Sequence, residues 1–332
     1  TGNTNERTSF FEDIDQKHVT SFVREFIQNL MDAKSDTCKG PVKVEFTVKE
    51  DGYDPIYLQK ILKELKPYLK EDGVIQKNTN KTILIAEEYG TTGLTGDLNA
   101  DVQSSKSDHA SYWFQSGKLS EKDKKDLGGA GQGEITYPMS SDDKVCFVLS
   151  VREGEKNLKE KKYLYGKCNL HKPPIIKKQR YTHTAFYGVP RKDNFPYPIV
   201  DKIEIEAFSK AFGLKRKNIN GNSYVIPKIR ENSGITERGI IISVIEEYFF
   251  PIIKNSLRVH VNNIIINEMN MIDEAFLNQY FDKEKTDFFL FSAERLTSNS
   301  NAINLPKTCT DSHKIDLEDS NFKAKPLAVK IK

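Results

Sequence analysis

Three apolar stretches, at 145–151, 162–168 and 183–189, follow one another at hairpin distances, and this clustering limits the fold more than any other feature of the chain. Each has the β-branched and aromatic content of a strand. A run of consecutive strands is the mark of an α+β protein, whereas a doubly wound parallel sheet would alternate strand and helix. Around the cluster, hydrophobic spacing gives helices at 13–34, 55–70, 203–212, 236–257 and 273–281, and strands at 42–48, 82–86 and 258–263. Pro67 is expected to weaken the last turn of the second helix. The expected class is therefore α+β: a two-layer sandwich with a mixed, mostly antiparallel sheet and helices on one face.

Composition narrows the functional classes. The 332 residues are 37% hydrophobic and 29% charged, too apolar for a disordered chain and too polar for a membrane protein. The most apolar run, 239–253, is interrupted by Glu246, Glu247 and Pro251 and falls short of the ~20 residues a bilayer span needs. Lys plus Arg (50) nearly balances Asp plus Glu (47), so charge alone gives no case for nucleic acid. Cys38, Cys146, Cys168 and Cys309 lack metal-ligand spacing, and the six histidines form no HxxxH pair, which argues against zinc. The sequence starts at Thr1 with no leader-like segment, and the expectation is a cytoplasmic chain with free thiols and no membrane contact.

Residues 99–133 are long, polar and charged, the composition of a functional loop. The lysine-bearing runs at 118–125 and 157–163 are interleaved with Glu, which favours solvated faces over a nucleic-acid contact. Beyond Ser292 the pattern dissolves. The expected division is one domain over 1–270 and, over 271–332, an extension, a linker or the start of a further domain.

On the first helix, with Glu25 set at zero on a wheel of about 100° per residue, Asn29 falls near +40° and Asp32 near −20°. Val19, Val23, Phe26, Ile27, Leu30 and Ala33 fall on the adjoining apolar face. The periodicity alone fits a solvated face. The same residues also suit one chemical task, because a carboxylate can deprotonate a water while a neighbouring amide oxygen ligates Mg²⁺.

Two glycine-rich segments follow. Glu87 to Gly96 carries three glycines and three threonines after a buried strand, either a turn or a close backbone approach to a ligand. Gly128-Gly129-Ala130-Gly131-Gln132-Gly133 has the spacing of a dinucleotide fingerprint, but no strand precedes it. It reads better as a loop closing onto a helix N-terminus, whose amides suit phosphate.

Together and in this order, these elements resemble the GHKL (Bergerat-fold) ATPases, nearer to the MutL, gyrase B, heat-shock chaperone and MORC type than to histidine kinases. Glu25, Asn29, Asp32 and Ala33 match the E-x-x-x-N-x-x-D-A pattern of the family's first helix. Glu88 to Gly93 resembles its D-x-G-x-G adenine motif, with Glu88 for the family Asp and Gly93 one residue late. Gly129, Gly131 and Gly133 resemble the glycines of its ATP lid, here about 97–133, with Glu134 where many relatives have lysine. Thr182 or Thr184 resembles the late strand threonine near adenine.

The resemblance implies ATP and Mg²⁺ as ligands and slow hydrolysis. It implies that Glu25 activates water and Asn29 ligates Mg²⁺ beside Asp32 and Ala33. Glu88 would hold adenine, with Gly90, Thr92, Gly93, Leu94 and Thr184 around it. The amides of Gly129, Ala130, Gly131, Gln132 and Gly133 would take the phosphates as the mobile lid closes. It further implies an ATP-dependent homodimer, and a place in a larger DNA-acting, DNA-repair or phage-defence protein with a nucleic-acid or effector partner. Rival readings are a nucleotide-sensing module without meaningful hydrolysis and a chaperone-like ATPase.

Overall fold

The computed structural model describes residues 15–73, 81–99, 107–114, 133–154, 160–191 and 196–298, together with a short parallel pair, Ile303–Asn304 with Val329–Lys330. The chain begins with α1 (Asp15–Asp32), β1 (Val42–Lys49), α2 (Pro55–Ile61), α3 (Lys66–Glu71) and β2 (Ile83–Tyr89). Then come α4 (Asp108–Phe114), α5 (Gly133–Met139), β3 (Val145–Val151), β4 (Lys162–Asn169), a small hairpin of β5 (Ile175–Ile176) and β6 (Gln179–Arg180), and β7 (Thr184–Tyr187). It continues through α6 (Lys202–Phe212), β8 (Gly221–Ile226), α7 (Glu237–Ile253), β9 (Leu257–Val261), β10 (Ile264–Ile266), α8 (Glu274–Leu277) and α9 (Lys283–Ser298).

Eight strands form one sheet in the order β10-β9-β1-β2-β8-β3-β4-β7. The β1–β9 pair is parallel and the other ladders are antiparallel, so the sheet is mixed and mostly antiparallel, as expected for an α+β chain. The helices are not confined to one face. On one side α1 and α7 pack over Leu84, Ala86, Val148 and Ile226. On the other, α2, α3 and α6 cover the alternate residues Ile83, Ile85, Phe147 and Val225. The reason lies in the central strands: β2, β3 and β8 are buried at nearly every position, so both of their faces need cover.

Pro67 does not simply fray a helix. It sits in the first turn of α3, where a fixed φ is favourable, and the 55–70 region is two short helices joined by a 3-10 turn. The polar 97–133 stretch also holds α4, whose His109, Ala110 and Trp113 are buried; the Trp113 ring meets Tyr165 edge-on at 4.9 Å. Core packing continues past residue 270, because Phe276, Leu277, Phe289 and Ala293 join the α1–α7 cluster. No helix among the described residues is long and apolar enough to cross a membrane.

Candidate functional site

Helix α1 buries Phe22, Val23, Phe26, Ile27 and Leu30 against the sheet. That leaves Asn29 and Asp32 exposed and Glu25 half-buried, as the wheel requires. Phe26 meets Tyr224 of β8 at 4.9 Å and Tyr137 of α5 at 5.6 Å. The outer side of α1 is fixed by α7. Arg24 donates two hydrogen bonds to Glu247 (2.8 and 3.0 Å), and Tyr248 donates its hydroxyl to the Arg24 carbonyl at 2.5 Å. Tyr248 itself departs from helical dihedrals three residues before Pro251, whose ring displaces the carbonyl one turn back.

The C-terminal end of α1 is joined to the loop after β2. The Thr92 amide donates to the Ala33 carbonyl at 3.1 Å and the Ser35 amide to the Gly90 carbonyl at 2.9 Å, while Lys34 and Thr91 form a bridge between them. Asp32 and Ala33 therefore lie beside Gly90 and Thr92. The loop is held from below as well: Leu94 donates its amide to Ser150 at 3.0 Å, and Glu153 donates to the Thr92 carbonyl at 2.6 Å. Gly93 has φ +69, and a Cβ there would stand 2.5 Å from the Val151 carbonyl oxygen, so only glycine fits.

Glu87 and Glu88 are neighbours on β2 and point to opposite faces. Glu87 accepts the amides of Lys215 and Arg216 (3.0 Å each) and the Ser223 hydroxyl (2.9 Å), a structural set. Glu88 is buried on the α1 side. Its Oε1 accepts from the Thr91 hydroxyl (3.1 Å), the Asn222 amide (3.1 Å) and Asn222 Nδ2 (2.5 Å). Burial pushes its pKa up to about 7, against the pull of Arg216 and the Thr91 and Asn222 hydrogen bonds.

Arg216 supports this corner. Its guanidinium donates to Ser223 Oγ, to the carbonyls of Ile219, Asn220 and Asn222, and to the Glu88 carbonyl, tying the end of β2 to the start of β8. Its planar fork suits several acceptors at once.

Tyr137 connects the pieces. Its hydroxyl accepts from Asn29 Nδ2 at 3.1 Å. Complete burial holds the phenol's pKa well above its ordinary range, and the charges of Glu25 and Glu88 act in the same direction. Asn29 thus meets the phenol on the short helix that begins at Gly133, within electrostatic reach of Glu25 and Glu88. Because Asn29 uses Nδ2 on Tyr137, its Oδ1 is the atom suited to a hard cation. Among the described residues no three His, Cys, Asp or Glu side chains gather as a metal-binding group. A lone amide oxygen could hold a Mg²⁺ only together with phosphates and water as further ligands.

Two sequence expectations fare differently. Thr184 is on β7 at the sheet edge, four strand spacings from β2, or roughly 19 Å at 4.8 Å per strand, and is not brought to Glu88. The physical reason is strand order: β8, later in the chain, inserts beside β2 and supplies Asn222 instead. Gly129, Ala130, Gly131 and Gln132 lie outside the described residues, while Gly133 opens α5. Asn222, Tyr137 and Arg216 are residues the sequence reading did not single out. An asparagine and a serine in a six-residue strand blur its alternation, and Tyr137 carries no spacing signal.

No protein-family model matches the chain. No curated protein matches it.

Proposed function

We propose that this chain binds ATP with Mg²⁺ and hydrolyses it slowly, with bound nucleotide acting as a conformational switch between separate and paired copies. The observation that carries the reading is the Ala33–Thr92 hydrogen bond, which joins the Glu25/Asn29/Asp32 face to the glycine loop that follows Glu88. Two motifs some sixty residues apart meet as a nucleotide site requires.

In this reading Glu88 accepts the adenine amine through Oε2, since the three hydrogen bonds from Thr91 and Asn222 converge on Oε1. Asn29 supplies the oxygen for Mg²⁺, which when bound neutralises phosphate charge. Glu25, half-buried one turn before Asn29, takes the proton of the attacking water. The lid glycines, of which Gly133 opens α5, supply backbone amides to the phosphates.

The test is ATP affinity and phosphate release measured on the same preparation, for the wild type and Glu25→Ala. The variant should keep its affinity and lose at least about 10²-fold in turnover, the low end for a general base. Unchanged turnover removes Glu25 from the role. Wild-type binding without turnover supports the nucleotide-sensing alternative, and no binding at all ends the reading.

A further inference from the structure

On the sheet face covered by α2, α3 and α6, a cavity of about 290 Å³ lies between the α2–α3 segment and strands β3, β4 and β7. Its walls are mostly apolar, with Ile61 and Leu65 on the helix side and Val145 and Phe147 on the sheet. Tyr68 and Tyr181, whose rings meet edge-on at 5.2 Å, complete them. All four residues of β7 line the cavity, and β7 is the last strand of the sheet, so the space reaches the sheet's edge. Close-packed interiors keep few voids of this size.

The ground beside it is basic. Residues 161–192 carry nine Lys and Arg and no Asp or Glu. Lys172, Lys177, Lys178 and Arg180 are exposed on or beside the β5–β6 hairpin, and none makes an ion pair with another described residue. The hairpin is fixed to the end of α3. Buried Asp72 accepts the amides of His171 (3.0 Å) and Lys172 (3.1 Å) as well as Lys144 Nζ (3.0 Å). The two-residue loop of the hairpin is Lys177-Lys178, with φ +50 and +68. A type I′ turn needs positive φ at both positions and favours Asn-Gly, because a side chain there is strained. Two lysines kept in that conformation point to a use for their charge. Lys178 is three residues from Tyr181, no more than about 11 Å of chain.

We propose that the cavity and the hairpin form one docking surface for an acidic segment of a partner protein. The segment seats one large apolar side chain in the cavity and sets its Asp or Glu residues against the hairpin. Charge complementarity selects an acidic partner, and the walls select a peptide. A nucleobase would bury ring nitrogens and oxygens where few polar groups can meet them, which is costly. Exposed Glu64, on the helix side of the cavity, confines the partner's acids to the hairpin side. The surface is on the sheet face opposite α1, so it stands or falls separately from the ATP reading.

The test selects random peptides displayed on phage against the immobilised full chain, then measures the most enriched peptide, labelled with fluorescein, by anisotropy. Enriched sequences should combine Asp or Glu with a large apolar residue, and binding should weaken with salt. Lys177→Asn with Lys178→Gly installs the residues the turn prefers, so the variant should unfold no earlier than wild type. It should nevertheless bind the peptide roughly three- to tenfold more weakly, the effect of two surface charges. Ala185→Leu fills the cavity from β7 and should weaken binding at least about tenfold. If Ala185→Leu does not fold, exchanging the peptide's apolar residue for alanine reads the same contact, with the same loss expected. Enrichment without acids, no enrichment, or a peptide indifferent to either change overturns the proposal. In that event, a labelled single-stranded oligothymidylate that wild type binds and both variants bind poorly would assign the surface to nucleic acid instead.

Discussion

The amide of Thr92 donates to the carbonyl oxygen of Ala33 at 3.1 Å, so the end of α1 and the first loop after β2 are tied together. Asn29 and Asp32 on the helix and Glu88 on the strand are brought together by that tie and by the Ser35–Gly90 hydrogen bond beside it. Several measurable consequences follow from the same corner of the sheet.

Gly93 is the tightest point of that loop. Replacing it with alanine places a Cβ 2.5 Å from the Val151 carbonyl oxygen at φ +69. Gly52 has nearly the same φ, +68, but the nearest atom to its Cβ would be Lys49 Nζ at 3.9 Å. Both substitutions carry about 1 kcal/mol of backbone strain, and Gly93→Ala should cost at least about 1–2 kcal/mol more. Chemical denaturation of the two variants checks this, and equal losses would mean that the loop yields.

Glu88 gives the stability curve a defined shape. Its pKa of about 7 in the folded chain exceeds the ordinary carboxylate value of 4.5 because of burial. Between those values the folded state holds a proton that the unfolded chain has released. Its contribution therefore falls as pH rises from about 4.5 to 7 and is level outside that window, with a slope of up to about 1.4 kcal/mol per pH unit. Glu88→Gln keeps an oxygen for Thr91 and Asn222 and lacks the titration. Subtracting its denaturation profile from the wild-type profile should isolate this slope, and parallel profiles would refute the assignment.

Tyr137 holds Asn29 by a single hydrogen bond. Tyr137→Phe preserves the packing against Phe22, Phe26 and Tyr224 and removes the acceptor. Asn29 is exposed and can turn to water, so stability should drop by only about 0.5–1.5 kcal/mol. In the ATP reading, affinity should lose part of its dependence on Mg²⁺, because the amide oxygen is no longer aimed. A Mg²⁺ titration of ATP binding unchanged from wild type would separate Tyr137 from metal positioning.

Trp113 tests how firmly α4 is anchored. It is 2% exposed and packs on Tyr112 and Tyr165. Trp113→Ala should cost about 3–5 kcal/mol, as for a core aromatic. A residue in an unanchored surface loop would cost less than about 0.5 kcal/mol. Thermal or denaturant unfolding distinguishes the two.

Much of this fold was legible where the residues carry a strong period. The spacing of α1, with Phe26, Ile27 and Leu30 inside and Asn29 and Asp32 outside, follows from helical repeat and β1 from alternation, while β3 and β4 show as short apolar runs. The helix face of Glu25, Asn29 and Asp32 and the glycine loop after a buried strand were visible too, but the period alone fits a solvated face, and it is the family resemblance that joins them into a candidate site. Strand order was not legible. Nothing local says that Gly221–Ile226 inserts between β2 and β3, so the resemblance offers Thr184 for the place beside Glu88 that Asn222 occupies. Nor does a period reveal which sheet face a helix covers, and α2, α3 and α6 occupy the face expected to be bare. Helix α9 escaped notice because its core contacts come from few residues, chiefly Phe289 and Ala293, among charged neighbours.

The pairing of β1 with β9 has a consequence for biosynthesis. Val42 to Phe46 are made more than two hundred residues before their parallel neighbours, Leu257 to Val261. The partners that pin Arg24 from the far side, Glu247 and Tyr248, arrive almost as late. At roughly 5–20 residues per second on the ribosome, the helix carrying Glu25 and Asn29 waits on the order of ten seconds or more for its final neighbours. A nascent chain halted before α7 would thus lack these ties, however complete its motifs.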